Sequence, residues 1–183
     1  MKPQVPIEVD DVTGVWSTDG LPMLYVPRHF FVNNHRAVEA ALGPQRYAEI
    51  IYDAGYTSAR TWCEQEARTH SLAGMRVFEH YLARLSQRGW GQFSFIAANA
   101  AAGEASIKLT HSAFALAQQK APDTHAHGKV CSMFAGWFAG AMDWVAGVAA
   151  NDRVSVCSEV QCQAEGHTHC QFAVRRRPST IFG

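Results

Sequence analysis

The spacing of apolar residues changes period several times along the chain, and each change predicts an element. Residues 1–11 carry Pro3 and Pro6 among acidic positions and read as an extended arm. Short apolar runs at 12–16 and 21–26 then flank Ser17-Thr18-Asp19-Gly20, and Asp-Gly between two such runs predicts a tight hairpin. Apolar positions recur at helical spacing over 30–42, until Gly43-Pro44 stops them. A second helical pattern covers 46–70, with Tyr47, Ile50, Ile51, Trp62 and Ala67 on recurring faces. A third covers 71–88, with Ser71 as N-cap and Met75, Phe78, Leu82 and Leu85 three and four apart. Gly89-Trp90-Gly91 closes it. Alternation of period two follows over 92–96 and 105–111, around a linker of small residues. Residues 129–149 predict a helix rich in small residues, with Gly136, Gly140 and Gly147 on one side. The last pattern is a hairpin, 153–162 and 170–174, turning at Gly166. With no internal repeat and no long linker, the expected class is α+β, a single domain of helices packed on an antiparallel sheet with an N-terminal hairpin arm. The expected division is an arm over 1–30, a domain over 31–176 and a tail over 177–183.

Composition narrows the function classes. The 183 residues carry 16 Lys+Arg against 16 Asp+Glu, so the field that draws a chain onto nucleic acid or an anionic membrane is missing. Hydrophobic residues at 48% against 17% charged exclude a disordered chain, because that composition offers ample apolar surface to offset ordering entropy. No apolar run reaches the ~20 residues of a membrane span; residues 134–150 come nearest and contain Asp143. Acids stand where a secretory signal would be apolar, so the expectation is a soluble, cytoplasmic protein without membrane span or nucleic-acid partner. Its 5 cysteines are then expected as reduced thiols or metal ligands.

The most informative chemistry lies in the last third: Cys131, then Glu159, Cys162 and Cys170, spaced Glu-x-x-Cys-x7-Cys. If the terminal hairpin pivots at Gly166, Cys162 and Cys170 lie opposite one another. Zinc prefers thiolate and imidazole in a closed tetrahedron and accepts a carboxylate oxygen, so three cysteines and a glutamate would make a structural site. The competing reading is four ordinary residues, the cysteines packed as small hydrophobes and Glu159 exposed on a strand. His167 or His169 in the turn could replace Glu159 as ligand, and Cys157 shares the strand phase of Glu159. A Cys162–Cys170 disulfide fits the geometry but not a reducing compartment. His125-x-His127 offers a weaker second metal pair.

At these residues the chain resembles the 4-vinyl reductase domain family, which also supplies the input domains of phenol sensors and is related in fold to TRAPP trafficking subunits. The resemblance runs from about Tyr47 to Val174. It is carried by Gly89-Trp90-Gly91, Ser112, Cys131-x4-Gly136-Trp137-Phe138-x-Gly140, Glu159-x-x-Cys162 and Gly166-x-x-x-Cys170-x-Phe172. It implies an α+β domain in which Cys131, Glu159, Cys162 and Cys170 bind zinc beside a buried hydrophobic cavity. The arm is similar to the start of small stand-alone vinyl-reductase-like proteins.

Aromatic residues with interspersed histidines supply the candidate ligand pocket: His80, Trp90, Phe93, Phe95, His111, Phe134 and Trp137. Packed core is the alternative for the same residues. Where phenol sensors hold the hydroxyl with a tryptophan and a histidine, the comparable strand here, 107–111, has no tryptophan. No nucleotide fingerprint and no serine elbow is present, so a binding module is expected rather than an enzyme. The resulting expectation is a zinc-containing module for a small hydrophobic or aromatic ligand, a stand-alone sensor or accessory protein. It is expected to form a homodimer and to pass its signal to a separate effector protein. The alternatives are a reductase or carrier for vinyl tetrapyrroles and a TRAPP-like interaction scaffold.

Overall fold

The computed structural model describes residues 5–119, 128–149 and 151–178. His125 and His127 therefore lie outside the described residues. The arm folds as three short antiparallel strands, β1 (Glu8–Val9), β2 (Trp16–Thr18) and β3 (Leu21–Met23). Thr18 pairs with Leu21, leaving Asp19 (φ 54°) and Gly20 (φ 75°) as a two-residue loop. Both centres at positive φ match the handedness of a type I′ turn, which is why Asp-Gly stands there. The stretch expected to be merely extended contributes β1, so the hairpin finds its partner strand within the arm.

Three helices follow: α1 (Arg28–Leu42), α2 (Pro44–His70) and α3 (Met75–Gln87). Pro44 opens α2, where a missing N–H has no consequence. Ser71 does not cap α3 as expected. It sits in the left-handed region (φ 51°, ψ 43°) and closes α2 with its N–H on the Ala67 carbonyl, while α3 starts after Gly74. Leu72, Ala73 and Gly74 separate Ser71 from the first turn of α3, too far for its hydroxyl to reach.

The sheet contains β4 (Gln92–Asn99), β5 (Glu104–Thr110), β6 (Ser155–Gln161) and β7 (Cys170–Arg176) in the order β4-β5-β7-β6, every pair antiparallel. A short helix α4 (Ala113–Gln119), absent from the sequence expectation, follows β5. Helix α5 (Ser132–Val145) is buried from Met133 to Asp143 and packs against both α2 and the sheet. Its two glycines explain that depth. A Cβ on Gly136 would stand 2.0 Å from the Tyr52 carbonyl oxygen, and one on Gly140 2.3 Å from that of Tyr56, so the α2 backbone lies directly on α5. Gly147 does not belong to this seam; it lies past the helix end at φ 68° with open space around it. At that end the buried Asp143 accepts from the Tyr56 hydroxyl (2.6 Å) and the N–H groups of Val154 (3.0 Å) and Ser155 (2.8 Å), joining α5 to the start of β6. Among the described residues no helix is long and apolar enough to cross a membrane. The molecule is an α+β fold, as the patterns imply.

Candidate metal centre

Four elements deliver one donor set. Cys131 is the residue before the first turn of α5; Glu159 is on β6; Cys162 precedes a 3-10 turn, Gln163–Glu165; Cys170 opens β7. Glu159 and Cys162 are three apart and would face opposite sides of a regular strand. A β-bulge removes that conflict: Glu159 pairs with Phe172, but Gln161 with Gln171, so Val160 is the extra residue and the phase shifts by one. Both side chains are then buried on the same side.

The sulfurs of Cys131 and Cys170 are 3.9 Å apart and those of Cys162 and Cys170 3.7 Å. All four donor atoms, the Glu159 carboxylate included, lie within 4.8 Å of one another. Those separations are far longer than the ~2.05 Å of a disulfide. They match the edge of a tetrahedron with metal–sulfur bonds near 2.3 Å, which is about 3.8 Å. Glu159 Oε2 accepts from the Cys131 N–H (3.0 Å), while its buried Oε1 has no partner. The surroundings donate to sulfur: Gln163 N–H reaches Cys170 at 3.2 Å, Ala164 N–H reaches Cys162 at 3.4 Å, and the Ser112 hydroxyl lies 3.3 Å from Cys131.

The proton balance points the same way. Hydrogen bonds from the Cys131 and Cys170 thiols hold Cys162 down to about 2, and the same contact with Cys162, with burial, pushes Cys131 far up. At Cys170 the bond with Cys131 lowers the thiol, but the bond with Cys162 and burial outweigh it. Burial first, then the Cys162 sulfur, raises Glu159 to about 8. Without a cation, four anions cannot share one buried space, so the cluster must hold protons. A divalent ion is what would let all four ionise, and this cluster could hold one. His167 is exposed and His169 is engaged with Thr168, and neither is among the converging donors. Cys63 and Cys157 are buried outside the cluster. Ser112 and Gln163, whose Oε1 accepts from Ser112 N–H at 3.2 Å, support the site; only Ser112 figured in the sequence signature.

Of the pocket candidates, Trp90, Phe93, Phe134 and Trp137 come together. Trp90 lies 5.2 Å from Trp137 and 6.1 Å from Phe134, and Phe134 5.4 Å from Phe93. Phe95 connects to this group only at two removes, through Phe78 (5.0 Å) and then Phe138. His111 does not: it is exposed at φ 58°, where the chain turns from β5 into α4. His80 faces Glu66 and stacks on Trp62 instead. Sequence reasoning missed the polar pair that does border the cluster. His35 lies 5.1 Å from the Phe114 ring and its Nδ1 meets the Tyr47 hydroxyl, beside a small cavity of about 90 Å³ lined by Val32, Phe114 and Val130. Helical spacing gave Tyr47 only as one position on the recurring face of the second helix and gave His35 no role, so nothing in the pattern joined the two.

The family model described as "Domain of unknown function (DUF5943)" matches residues 1–96. The chain belongs to that family. The matched stretch spans the arm and α1 to α3 and ends before every member of the cysteine cluster. No curated protein sequence matches the chain. Among solved structures, the phenol-responsive sensory domain of the transcription activator PoxR, with phenol, superposes with a TM-score of 0.78 at 16% identity, over 93% of this chain and 84% of that one. A trafficking protein particle complex subunit 3 from Naegleria fowleri, covalently bound to palmitic acid, gives 0.56 at 11% identity, over 82% and 95%. A vinyl-4-reductase family protein from Methanocaldococcus jannaschii gives 0.49 at 13%, over 85% of each chain. The fold expected from the cysteine and glycine motifs is the fold found.

Proposed function

We propose that this chain is a small-molecule sensory module whose ligand is hydrophobic or aromatic, with one structural Zn²⁺ on Cys131, Glu159, Cys162 and Cys170. The observation that carries the reading is the superposition over 93% of the chain on a domain that responds to phenol. The small cavity beside His35 and Tyr47, walled by Val32, Phe114 and Val130 and backed by the aromatic cluster of Trp90, Phe134 and Trp137, supports it as the ligand chamber: apolar walls give affinity and one or two polar groups fix orientation. His80 and His111 stand outside this chamber.

A zinc ion on these donors would brace the first turn of α5, the helix that carries Phe134 and Trp137. Bound there, it would supply charge neutralisation and a covalent-strength staple, not catalysis, because four protein donors leave no open position. Cys131 would fix the first turn of α5, and Cys162 and Cys170 both ends of the hairpin turn. Glu159, accepting from the Cys131 N–H through one oxygen, would offer its unpartnered Oε1 to the ion.

The proposal includes residues 31–176 as the ligand-binding unit, cytoplasmic location, a homodimer and a separate effector. Exposed apolar residues on the arm, among them Trp16, Leu24, Tyr25 and Phe30, support an interaction surface. The same surface keeps a TRAPP-like scaffold as the second reading, in which assembly rather than ligand is the function.

Thermal shift with phenol, substituted phenols and fatty acids separates these. A ligand at 100 times its Kd adds about 2.7 kcal/mol of stability, which for a chain of this size raises the melting midpoint by roughly 5–10 °C. At least one aromatic compound is expected to do so, and His35→Ala to reduce the effect. A midpoint unmoved by every aromatic and aliphatic compound, with native mass spectra free of any adduct, overturns the sensory reading.

A further inference from the structure

A second convergence of donors lies where the arm meets α2 and α3. Glu66 and His70 stand four apart on α2 and share one face; His80 comes from α3 and Asp19 from the β2–β3 turn. His80 Nε2 is 2.6 Å and His70 Nε2 3.2 Å from the same Glu66 Oε2, and His70 Nε2 is 3.2 Å from Asp19 Oδ1. The donor atoms of Glu66, His70 and His80 lie within 4.8 Å of one another.

Glu66 is 0% exposed, yet its Oε1 has no hydrogen-bond partner, and neither does the buried Oδ2 of Asp19. Buried carboxylate oxygens are nearly always satisfied, so an orphan one on a carboxylate whose other oxygen meets two imidazole nitrogens marks a place for a cation. The histidine side chains are 29% and 24% exposed, which gives an ion an entry path and room for water.

We propose that Glu66, His70 and His80, with water completing the shell, form a second metal site, for a divalent transition-metal ion and independent of the cysteine cluster. Two imidazoles and a carboxylate are the donor set such ions take. Bonds of 2.0–2.1 Å give a tetrahedral edge of about 3.3 Å, close to the 3.2 Å between His70 Nε2 and Glu66 Oε2. The His80–Glu66 contact would open by ~0.7 Å on binding.

The neighbouring charges select the ion. Arg84 reaches Asp19 Oδ1 at 3.0 Å and Glu66 Oε2 at 4.0 Å, Arg88 reaches Asp19 Oδ2 at 3.9 Å, and Arg88 lies over the Trp62 ring on which His80 stacks. Two guanidiniums already balance the two carboxylates. Mg²⁺ and Ca²⁺, which depend on anionic oxygen, are therefore disfavoured, and Zn²⁺, Co²⁺ or Ni²⁺, which bind neutral imidazole, are favoured. An ion here would tie α2 to α3, next to the arm whose Asp19 meets His70.

The test is a Co²⁺ titration of full-length protein whose cysteine cluster has first been filled with Zn²⁺. One further equivalent is expected, with weak visible d–d bands and no intense sulfur-to-cobalt charge transfer. That band would instead report cobalt on the cysteines, so failure of the zinc reading is seen separately. His70→Ala and His80→Ala should each weaken binding at least ~10-fold. A folded protein that takes no second equivalent at a large excess of cobalt overturns the proposal. So does unchanged binding by His70→Gln, a substitution at the partly exposed end of α2 that leaves the buried Glu66 in place.

Discussion

Tyr47, Tyr56 and Tyr81 show how burial tunes single residues. Burial, and then the charge of Glu39, pushes Tyr47 up to about 12. Burial, and then the hydrogen bond to Asp143, does the same for Tyr56, and burial takes Tyr81 well above its ordinary value. Each phenol is thus more acidic in the unfolded chain. The stability they contribute is whole below the unfolded value near 10 and is lost as pH rises towards 12. Phenolate absorbance of the native protein is expected to lag behind that of the denatured protein across this window, with the thermal midpoint falling in parallel; superposable titration curves would contradict it. Tyr56→Phe should cost about 1.5–3 kcal/mol in denaturant unfolding, since it removes a bond to a buried carboxylate that keeps only its two backbone donors. At this scale the sequence was legible for chemistry and illegible for direction. Cys131, Glu159, Cys162 and Cys170 could be named from spacing and family likeness. That His111 turns outward and His35 inward depends on where β5 stops and how α1 leans on α4, which no local pattern records.

Periodicity located three long helices and the strands because burial on one face repeats at the period of the element. It failed at boundaries governed by the neighbour. Ser71 closes α2 instead of opening α3, since both roles favour a small polar residue. Helix α4 is one seven-residue stretch, too short for a period to show. The β-bulge at Val160 is invisible in a run of alternating residues, yet it alone puts Glu159 and Cys162 on one side. The glycines of α5 carried a clear signal whose partner was unknown: they admit the carbonyls of Tyr52 and Tyr56. Gly140→Ala should therefore destabilise by about 1–3 kcal/mol or more, because the obstructing atom is backbone and cannot rotate away. Gly128→Ala, with no atom within 4 Å, should be near neutral. Equal unfolding midpoints for the two variants would remove the close α2–α5 contact as the reason for these glycines.

In the whole molecule the cysteine cluster sits where the start of α5, β6 and the turn into β7 meet. It joins the start of α5, the bulged strand β6 and the hairpin turn into β7, while β7 in turn pairs with β5 and through it with the β4 edge. Loss of an ion from this junction would leave buried thiols and a carboxylate without a shared cation, and the hairpin turn would rest on side-chain bonds such as those of Gln163 to Ser112 and Thr168. Chelation should therefore act locally before it acts globally. Amide exchange is expected to accelerate first in β6, the 3-10 turn and β7, while α2 and α3, which meet each other and the arm away from the cluster, stay protected. Cys162→Ser and Cys170→Ser should each cost more than ~4 kcal/mol or prevent accumulation of folded protein, as loss of a structural metal does; Cys63→Ala, in the core but outside the cluster, should cost much less. Elemental analysis gives the decisive number. Protein purified without chelator should carry one zinc per chain on this cluster, and the Cys162→Ser/Cys170→Ser double variant should lose that equivalent. Retention of it by the double variant, or exchange that accelerates uniformly along the chain on chelation, would show that the cluster does not hold the hairpin through a metal.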